Sequence, residues 1–440
     1  MNEEIYSQKL EQLFVRFPSV QNVGFNDAYK PGLAHMEQFN AILGHPDKSF
    51  RTIHIAGTNG KGSVANMTAA ALAATGLKVG LYTSPHILDF RERMRATDEN
   101  GKAYLISKED VWDFITHWEE SFDSLNLSFF EITTGMAFWW FAKEGVDVAV
   151  IEVGLGGRLD STNIIVPELS VITSIGLDHC AMLGDTRAAI AGEKAGIFKK
   201  GVPAIIGSRD EETSPVFERK AAETGCSLTF ADGYQLTQYT DVERIAAEMD
   251  LCGDYQHENL RTVLTALEKL DVPFTDKVRD AIIHTAERMD FHGRWELIHE
   301  HPDIICDIGH NPPALKKNFA QLEDYLTRAR YARVILVYGV MKDKDLDGII
   351  PLMPVEAEYI AVAPASARAM DIDTLFSRLR EGLRARGIGP EKIRRGGSVT
   401  EGLEMAMETA AANPDNTLIY IGGSTFVVSE AAAFLKAERL

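Results

Sequence analysis

Over the first 290 positions, apolar residues fall in short continuous runs rich in β-branched side chains, separated by longer stretches of helical character. Runs 52–56, 79–83, 146–153, 169–175 and 203–207 read as strands, and 64–75, 108–122, 130–144 and 187–198 as the helices between them. Strands without polar alternation, each followed by a helix, predict a mostly parallel sheet flanked by helices on both faces. In such sheets the binding loops follow the C-terminal ends of the strands. After Arg294 the alternation begins again, with strands at 303–307, 333–338, 359–363 and 417–421 and helices at 314–327, 373–386 and 399–412. The expected α/β organisation is a domain over 1–292 and a smaller Rossmann-like α/β domain over 293–440. They join at Met289-Asp290-Phe291-His292-Gly293-Arg294. No low-complexity tract or internal repeat interrupts the pattern.

Composition narrows the function classes. The 440 residues carry 45 Lys and Arg against 64 Asp and Glu, a formal net charge of −19, which disfavours a polyanionic partner such as nucleic acid. Apolar stretches are broken by charge too soon to span a bilayer, and the polar, acidic start Met1-Asn2-Glu3-Glu4 does not resemble a signal peptide. The four cysteines are scattered without a C-x-x-C pair, as in a reduced cytoplasmic protein. A cytoplasmic, monomeric enzyme acting on small molecules, with neither nucleic acid nor membrane as partner, is expected.

The chemistry begins at Ile53-His54-Ile55-Ala56-Gly57-Thr58-Asn59-Gly60-Lys61-Gly62-Ser63. A strand ends in a glycine-rich turn that opens a helix. This arrangement points backbone N–H groups and partial positive charge at one spot, to which Lys61 adds a full charge and Ser63 a hydroxyl. The spacing departs from the common G-x-x-x-x-G-K-[ST] loop: Ile55 stands where the first glycine belongs, and Gly62 delays the serine by one place. Read alone, the segment is a phosphate cradle with an irregular pattern.

Further clusters stand at strand ends. Thr83-Ser84-Pro85-His86, followed by Arg91-Glu92-Arg93, reads as a capped turn before a charged helix, a turn in which Ser84 can offer oxygen to a hard cation. Glu152 ends a buried run, and a carboxylate there requires a cation or donors. The loop that follows it, Gly154-Leu155-Gly156-Gly157-Arg158-Leu159-Asp160-Ser161-Thr162-Asn163, can approach a ligand closely. His179, in Gly176-Leu177-Asp178-His179, is a candidate metal ligand. Lys194, in Glu193-Lys194-Ala195-Gly196-Ile197, reads from spacing alone as a solvated lysine near a helix C-terminus. Asp307-Ile308-Gly309-His310-Asn311-Pro312 makes a second acidic strand end, and Gly422-Gly423-Ser424-Thr425-Phe426 a second anion nest.

Together these motifs resemble the Mur ligase superfamily and, within it, the folylpolyglutamate synthase/dihydrofolate synthase family, over roughly residues 29–429. The irregular P-loop is similar to that superfamily's own variant. Departures are Ser161, where alanine is frequent, and Gly309, where alanine often precedes the histidine.

The resemblance implies a P-loop ATPase domain that uses ATP as co-substrate, bound by Thr58, Asn59, Gly60, Lys61, Gly62 and Ser63 with Asn259, Arg294 and Asp307. It implies two Mg²⁺ ions supported by Ser84, Glu152, His179 and Ser63 and by Lys194 as a CO2-derived carbamate, with room for a monovalent cation. Lys61, Lys194, His179 and Glu152 would be catalytic. Ser84, Pro85, His86, Arg158, Asp160, Ser161, His310 and Ser424 would contact substrates, the last two placing L-glutamate, with Tyr29-Lys30-Pro31-Gly32-Leu33 on the pterin side. The implied reaction adds L-glutamate to dihydropteroate or to a reduced folate through an acyl phosphate. Three alternatives stay open at this point: one of the two activities alone, a peptidoglycan-precursor ligase, and a P-loop switch or binding protein without ligase activity.

Overall fold

The computed structural model describes residues 3–19, 30, 32–239 and 241–438. The chain divides into two compact units, the first comprising Met1–Asp250 and Gln256–Phe291, the second Leu251–Tyr255 and His292–Leu440. Tyr29 and Pro31 lie outside the described residues.

The first unit is built on a sheet in the order β4-β3-β2-β5-β1-β6-β7-β8. Its strands are β1 (Arg51–Ala56), β2 (Val79–Tyr82), β3 (Met94–Thr97), β4 (Ala103–Leu105), β5 (Val148–Glu152), β6 (Leu169–Ile172), β7 (Ala204–Ile206) and β8 (Leu228–Phe230). The central strands β2, β5, β1, β6 and β7 run parallel and are almost wholly buried, which is why they read as unbroken apolar runs. β3 and β4 add an antiparallel edge. Sequence patterning missed this edge: in place of the expected charged helix, Arg91-Glu92-Arg93 closes a single short turn capped by Asp89 and the chain continues as β3.

The helix Lys61–Ala73 lies deep in this unit, with every side chain from Ser63 to Ala73 buried, so its small residues face neighbours all round. The helix Phe129–Glu144 starts from a Ser128/Glu131 capping box and stops at Gly145 in the left-handed conformation. Its ring-rich face joins Phe39, Phe114 and Phe122 in an aromatic core.

The second unit carries the order β13-β12-β11-β14-β10-β9, with β9 (Arg294–His299), β10 (Asp303–Asp307), β11 (Arg333–Tyr338), β12 (Glu358–Ala363), β13 (Ile393–Ser398) and β14 (Thr417–Gly422). β9 pairs antiparallel with β10 and the rest run parallel. The architecture is the two-unit α/β fold with mostly parallel sheets that the sequence predicts. No helix among the described residues is long and apolar enough to cross a membrane.

Candidate active site

In the first unit the C-terminal ends of β2, β5, β1 and β6 lie side by side, so the loops that leave them share one edge of the sheet. β1 delivers Gly57, whose φ of 151° and close approach to Thr173 leave no room for a side chain. Gly57→Ala is therefore expected to weaken ATP binding by about tenfold or more through backbone strain while the protein stays folded. Titration with a fluorescent nucleotide alongside circular dichroism checks this.

The loop is held from β6. Thr58 N donates to Ser174 O (2.7 Å), Asn59 N to Ser174 Oγ (3.1 Å), and Thr173 Oγ1 to Asn59 O (2.6 Å). Gly60, at φ 87°, turns the chain into the helix at Lys61, whose first-turn N–H groups have no intrahelical acceptor. Lys61 Nζ donates to Gly57 O (3.0 Å) and Thr58 O (3.2 Å), the carbonyls of the loop itself. Ser63 is buried and its hydroxyl accepts from Gln256 Nε2 (3.1 Å). Gln256 Oε1 in turn accepts from Asn259 Nδ2 (2.8 Å), and Asn259 abuts Gly60. Gln256 is a residue of this corner that the sequence motifs do not include. The hydrogen bond to Ser63 spans 193 positions, and no local pattern carries it.

Lys194 is the largest departure from the spacing-based reading. It is 4 % exposed, not solvated, and its Nζ donates to Gly57 O at 2.8 Å, the same carbonyl that Lys61 uses. Burial, reinforced by the Lys61 charge, lowers its pKa to about 7, with Asp178 and Asp160 acting in the opposite direction. Glu152 closes β5, is buried, and accepts from Ser84 N (3.2 Å), within electrostatic reach of the buried Arg93 guanidinium. His179 sits in the left-handed region at φ 54°, with Nε2 3.7 Å from Asp178 Oδ2.

The chemistry of these donors suits magnesium. Among the described residues no three of His, Cys, Asp and Glu gather as a self-sufficient metal cage. Magnesium commonly takes one or two carboxylates and completes its shell with waters and substrate phosphates. Glu152 beside Ser84, with the Ser63 hydroxyl in the phosphate cradle, matches that demand.

The remaining candidate groups of this unit are held by their own contacts. Arg158 pairs with Glu193 (2.9 Å), next to Lys194. Asp160 is buried and accepts from Leu155 N (2.8 Å) and Thr162 N (3.1 Å), and Ser161 is buried beside it. Ser84 and Pro85 lead to His86, whose Nδ1 accepts from Arg93 Nε (2.8 Å), placing the ring proton on Nε2. Burial and the guanidinium push the His86 pKa down to about 3. Phe14 stacks on His86 and meets Phe90 and Phe129. A cavity of about 310 Å³ opens nearby, lined by Phe17, Lys30, Phe122, Asn126, Leu127 and Phe129 among others, and Lys30 Nζ donates to Asn126 Oδ1 (2.7 Å) at its side.

Arg294, Asp307, His310 and Ser424 belong to the second unit. Asp307 ends β10 and Ser424 follows β14, its parallel neighbour, so both stand at one sheet edge. Asp307 Oδ2 accepts from Tyr255 OH (2.6 Å) and Trp295 N (2.9 Å), and Oδ1 from Gly309 N (2.7 Å) and Asn318 Nδ2 (2.7 Å). Four donors make this carboxylate the organiser of its corner. Nδ1 of His310 donates to Ile308 O (3.0 Å), and Ser424 Oγ accepts from Val427 N (3.3 Å). Arg294 Nη1 donates to Gly293 O (3.2 Å).

Residues 293–425 match the family model described as Mur ligase, glutamate ligase domain. A dihydrofolate synthase/folylpolyglutamate synthase of Bacillus subtilis is 34% identical over 370 residues, covering 78% of this chain and 84% of the relative. The chain belongs to the folylpolyglutamate synthase/dihydrofolate synthase family. A probable bifunctional folylpolyglutamate synthase/dihydropteroate synthase of Haloferax volcanii is 33% identical over 91% of this chain, and the chain spans 48% of that relative's length. Solved structures of the family match 93% or more of this chain. Mycobacterium tuberculosis folylpolyglutamate synthase complexed with ADP gives a TM-score of 0.82 at 28% identity, covering 98% of this chain and 99% of that one. Escherichia coli FolC in complex with DHPP and ADP gives 0.77 at 26% identity, covering 99% and 98%. A bifunctional folylpolyglutamate synthase/dihydrofolate synthase with Mn, AMPPNP and L-glutamate bound gives 0.75 at 28%, covering 93% and 95%.

Proposed function

We propose that this protein is an ATP-dependent ligase that joins L-glutamate to the carboxylate of a pterin or folate, acting both on dihydropteroate and on reduced folates. The observation that carries the proposal is the convergence of Lys61 and the buried Lys194 on the Gly57 carbonyl at the mouth of a phosphate cradle. Ligands named for the family structures, ADP, DHPP and L-glutamate, supply the matching substrate classes.

An acceptor carboxylate oxygen attacks the γ-phosphorus of ATP, the bond to the bridging oxygen breaks, and acyl phosphate and ADP form. The amine of L-glutamate then attacks the acyl carbon, loses a proton, and phosphate departs with its oxygen. Catalysis of the first step is positioning and charge neutralisation. Lys61 exchanges its loop carbonyls for phosphate oxygens, while Thr58, Asn59, Gly60, Gly62 and Ser63 shape the cradle and Asn259 buttresses it. Magnesium, held by Glu152, Ser84, His179 and Ser63 with the Lys194 carbamate at a second ion, would supply further positive charge to the polyphosphate. Neutral Lys194 amine adds to CO2, forming an N–C bond and releasing one proton. His86, Pro85, Arg158, Asp160 and Ser161 border the acceptor. In the second unit, Arg294 and Asp307 serve the nucleotide, and His310 and Ser424 the glutamate.

ADP release tests the assignment. The protein is mixed with ATP, magnesium and L-glutamate, then given dihydropteroate in one arm and tetrahydrofolate in the other. Glutamate-dependent ADP release is expected in both arms. Release in one arm alone restricts the protein to that activity, and release in neither overturns the proposal.

A further inference from the structure

His54 occupies the middle of β1, three residues before Gly57, in register with Ile151 of β5 and Ser170 of β6. It is 0 % exposed. An imidazole at the centre of a buried sheet is costly unless its polar atoms are used. Its Nε2 lies 2.8 Å from Thr162 Oγ1, and Thr162 Oγ1 lies 2.5 Å from Asp160 Oδ1. Burial raises the pKa of Asp160, but both its oxygens accept backbone N–H groups, Oδ2 from Leu155 and Oδ1 from Thr162, as an ionised carboxylate does, so the single hydroxyl proton of Thr162 also goes to Asp160. The hydroxyl can then only accept from His54, which places the ring proton on Nε2. Nδ1 is correspondingly the bare nitrogen, buried without a hydrogen-bond partner. Burial and the nearby Lys199 push the pKa of the ring down to about 3, so it stays neutral across the working range.

The far end of this chain of hydrogen bonds is the clamp of a loop. Asp160 also accepts from Leu155 N and Thr162 N and thereby ties both ends of the segment 155–162 together. Asn163 fastens the segment from the other side, donating to Arg158 O (3.0 Å) and Gly196 O (3.1 Å). We infer that His54 is a positioning residue, which through Thr162 and Asp160 fixes the acceptor-side loop 154–163 to the strand that carries the P-loop. Orientation of the acceptor would thus be set from β1, the same strand that places the phosphate cradle. The acceptor part of this inference rests on the function proposed above; the tethering of the loop does not.

Hydrogen exchange and steady-state kinetics of His54→Leu and His54→Gln test it. In His54→Leu the amides of Leu155 and Thr162 should exchange about tenfold faster, and the KM for the pterin or folate acceptor should rise by a similar factor, as for loss of one buried hydrogen bond. The KM for ATP should stay within about twofold, because the phosphate loop is held independently from β6. Glutamine, whose amide N–H reaches towards the position of Nε2, should restore both. Unchanged exchange at Leu155 and Thr162 overturns the inference, as does loosening spread evenly over β1, β5 and β6. Faster exchange at those two amides with an unchanged acceptor KM keeps the tether and overturns the loop's assignment to the acceptor. Thr162→Val, which removes the hydroxyl at nearly constant volume, should loosen the same amides. In ¹⁵N-histidine spectra of the unaltered protein, His54 should read as the neutral Nε2–H form throughout pH 5–9. A His54 signal that titrates there, or that carries its proton on Nδ1, overturns the inference without recourse to any variant.

Discussion

Replacing Lys61 with alanine is expected to lower turnover by about 10³-fold or more, the scale on which removing a cation from a phosphoryl-transfer site acts. The side chain reaches back over the loop and donates to Gly57 O and Thr58 O. These are acceptors that a charged phosphate oxygen can outcompete, since hydrogen bonds between ionised partners are roughly twice as strong as neutral ones. The lysine is only partly buried, so its loss should change the melting temperature by no more than a few degrees. The loop keeps its bonds to Thr173 and Ser174, so nucleotide should still bind, more weakly. Single-turnover formation of ADP in the presence of acceptor separates the two effects. A variant that binds nucleotide less well but forms ADP at nearly the normal rate would remove Lys61 from the chemical step. Near-normal ligation would move the ATP site elsewhere.

The sequence was most legible where one residue type answers one physical demand. The runs that became β1, β5, β10 and β11 are buried on both faces and therefore lack polar alternation. Glycines at 57 and 60 mark left-handed or crowded backbone that the irregular P-loop spacing alone did not explain. Legibility failed where an edge strand carries charge or glycine. β9 reads RWELIH and β13 reads IRRGGS, and neither has the apolar run of a central strand. It failed again for contacts between distant positions. Leu251–Tyr255 belongs to the second unit although the chain returns to the first at Gln256. Tyr255 donates to Asp307, 52 positions away, and His54 reaches Thr162 across 108. Periodicity describes which face of an element is buried, not which side chain waits on the other side.

Lys194 shows the same limit with the largest chemical consequence, and its replacement is the second large expected effect. Spacing places it near the end of the helix Arg187–Ala195, where a solvated cation is electrostatically favoured. The fold buries it against Gly57 and brings its pKa to about 7. At pH 7 about half of such amines are neutral, against roughly one in 3,000 for a lysine at its ordinary value. Only the neutral amine adds to CO2, so burial raises the reactive fraction by about three orders of magnitude. Lys194→Ala should therefore lower turnover by about 10²- to 10³-fold, and short carboxylic acids such as formate or acetate should restore part of it by standing in for the carbamate. Rescue by methylamine instead would assign Lys194 a cationic role and sink the carbamate. The sign of the stability effect gives an independent check. A lysine whose folded pKa lies below its unfolded value weakens the fold most below about pH 7, and the penalty fades as pH rises from there towards 10.5. Lys194→Met should consequently raise the melting temperature at pH 6 and do so less at pH 10, while activity is lost at both. A melting temperature that falls at pH 6 would mean that the hydrogen bond of the buried amine to Gly57 outweighs the cost of burying its charge.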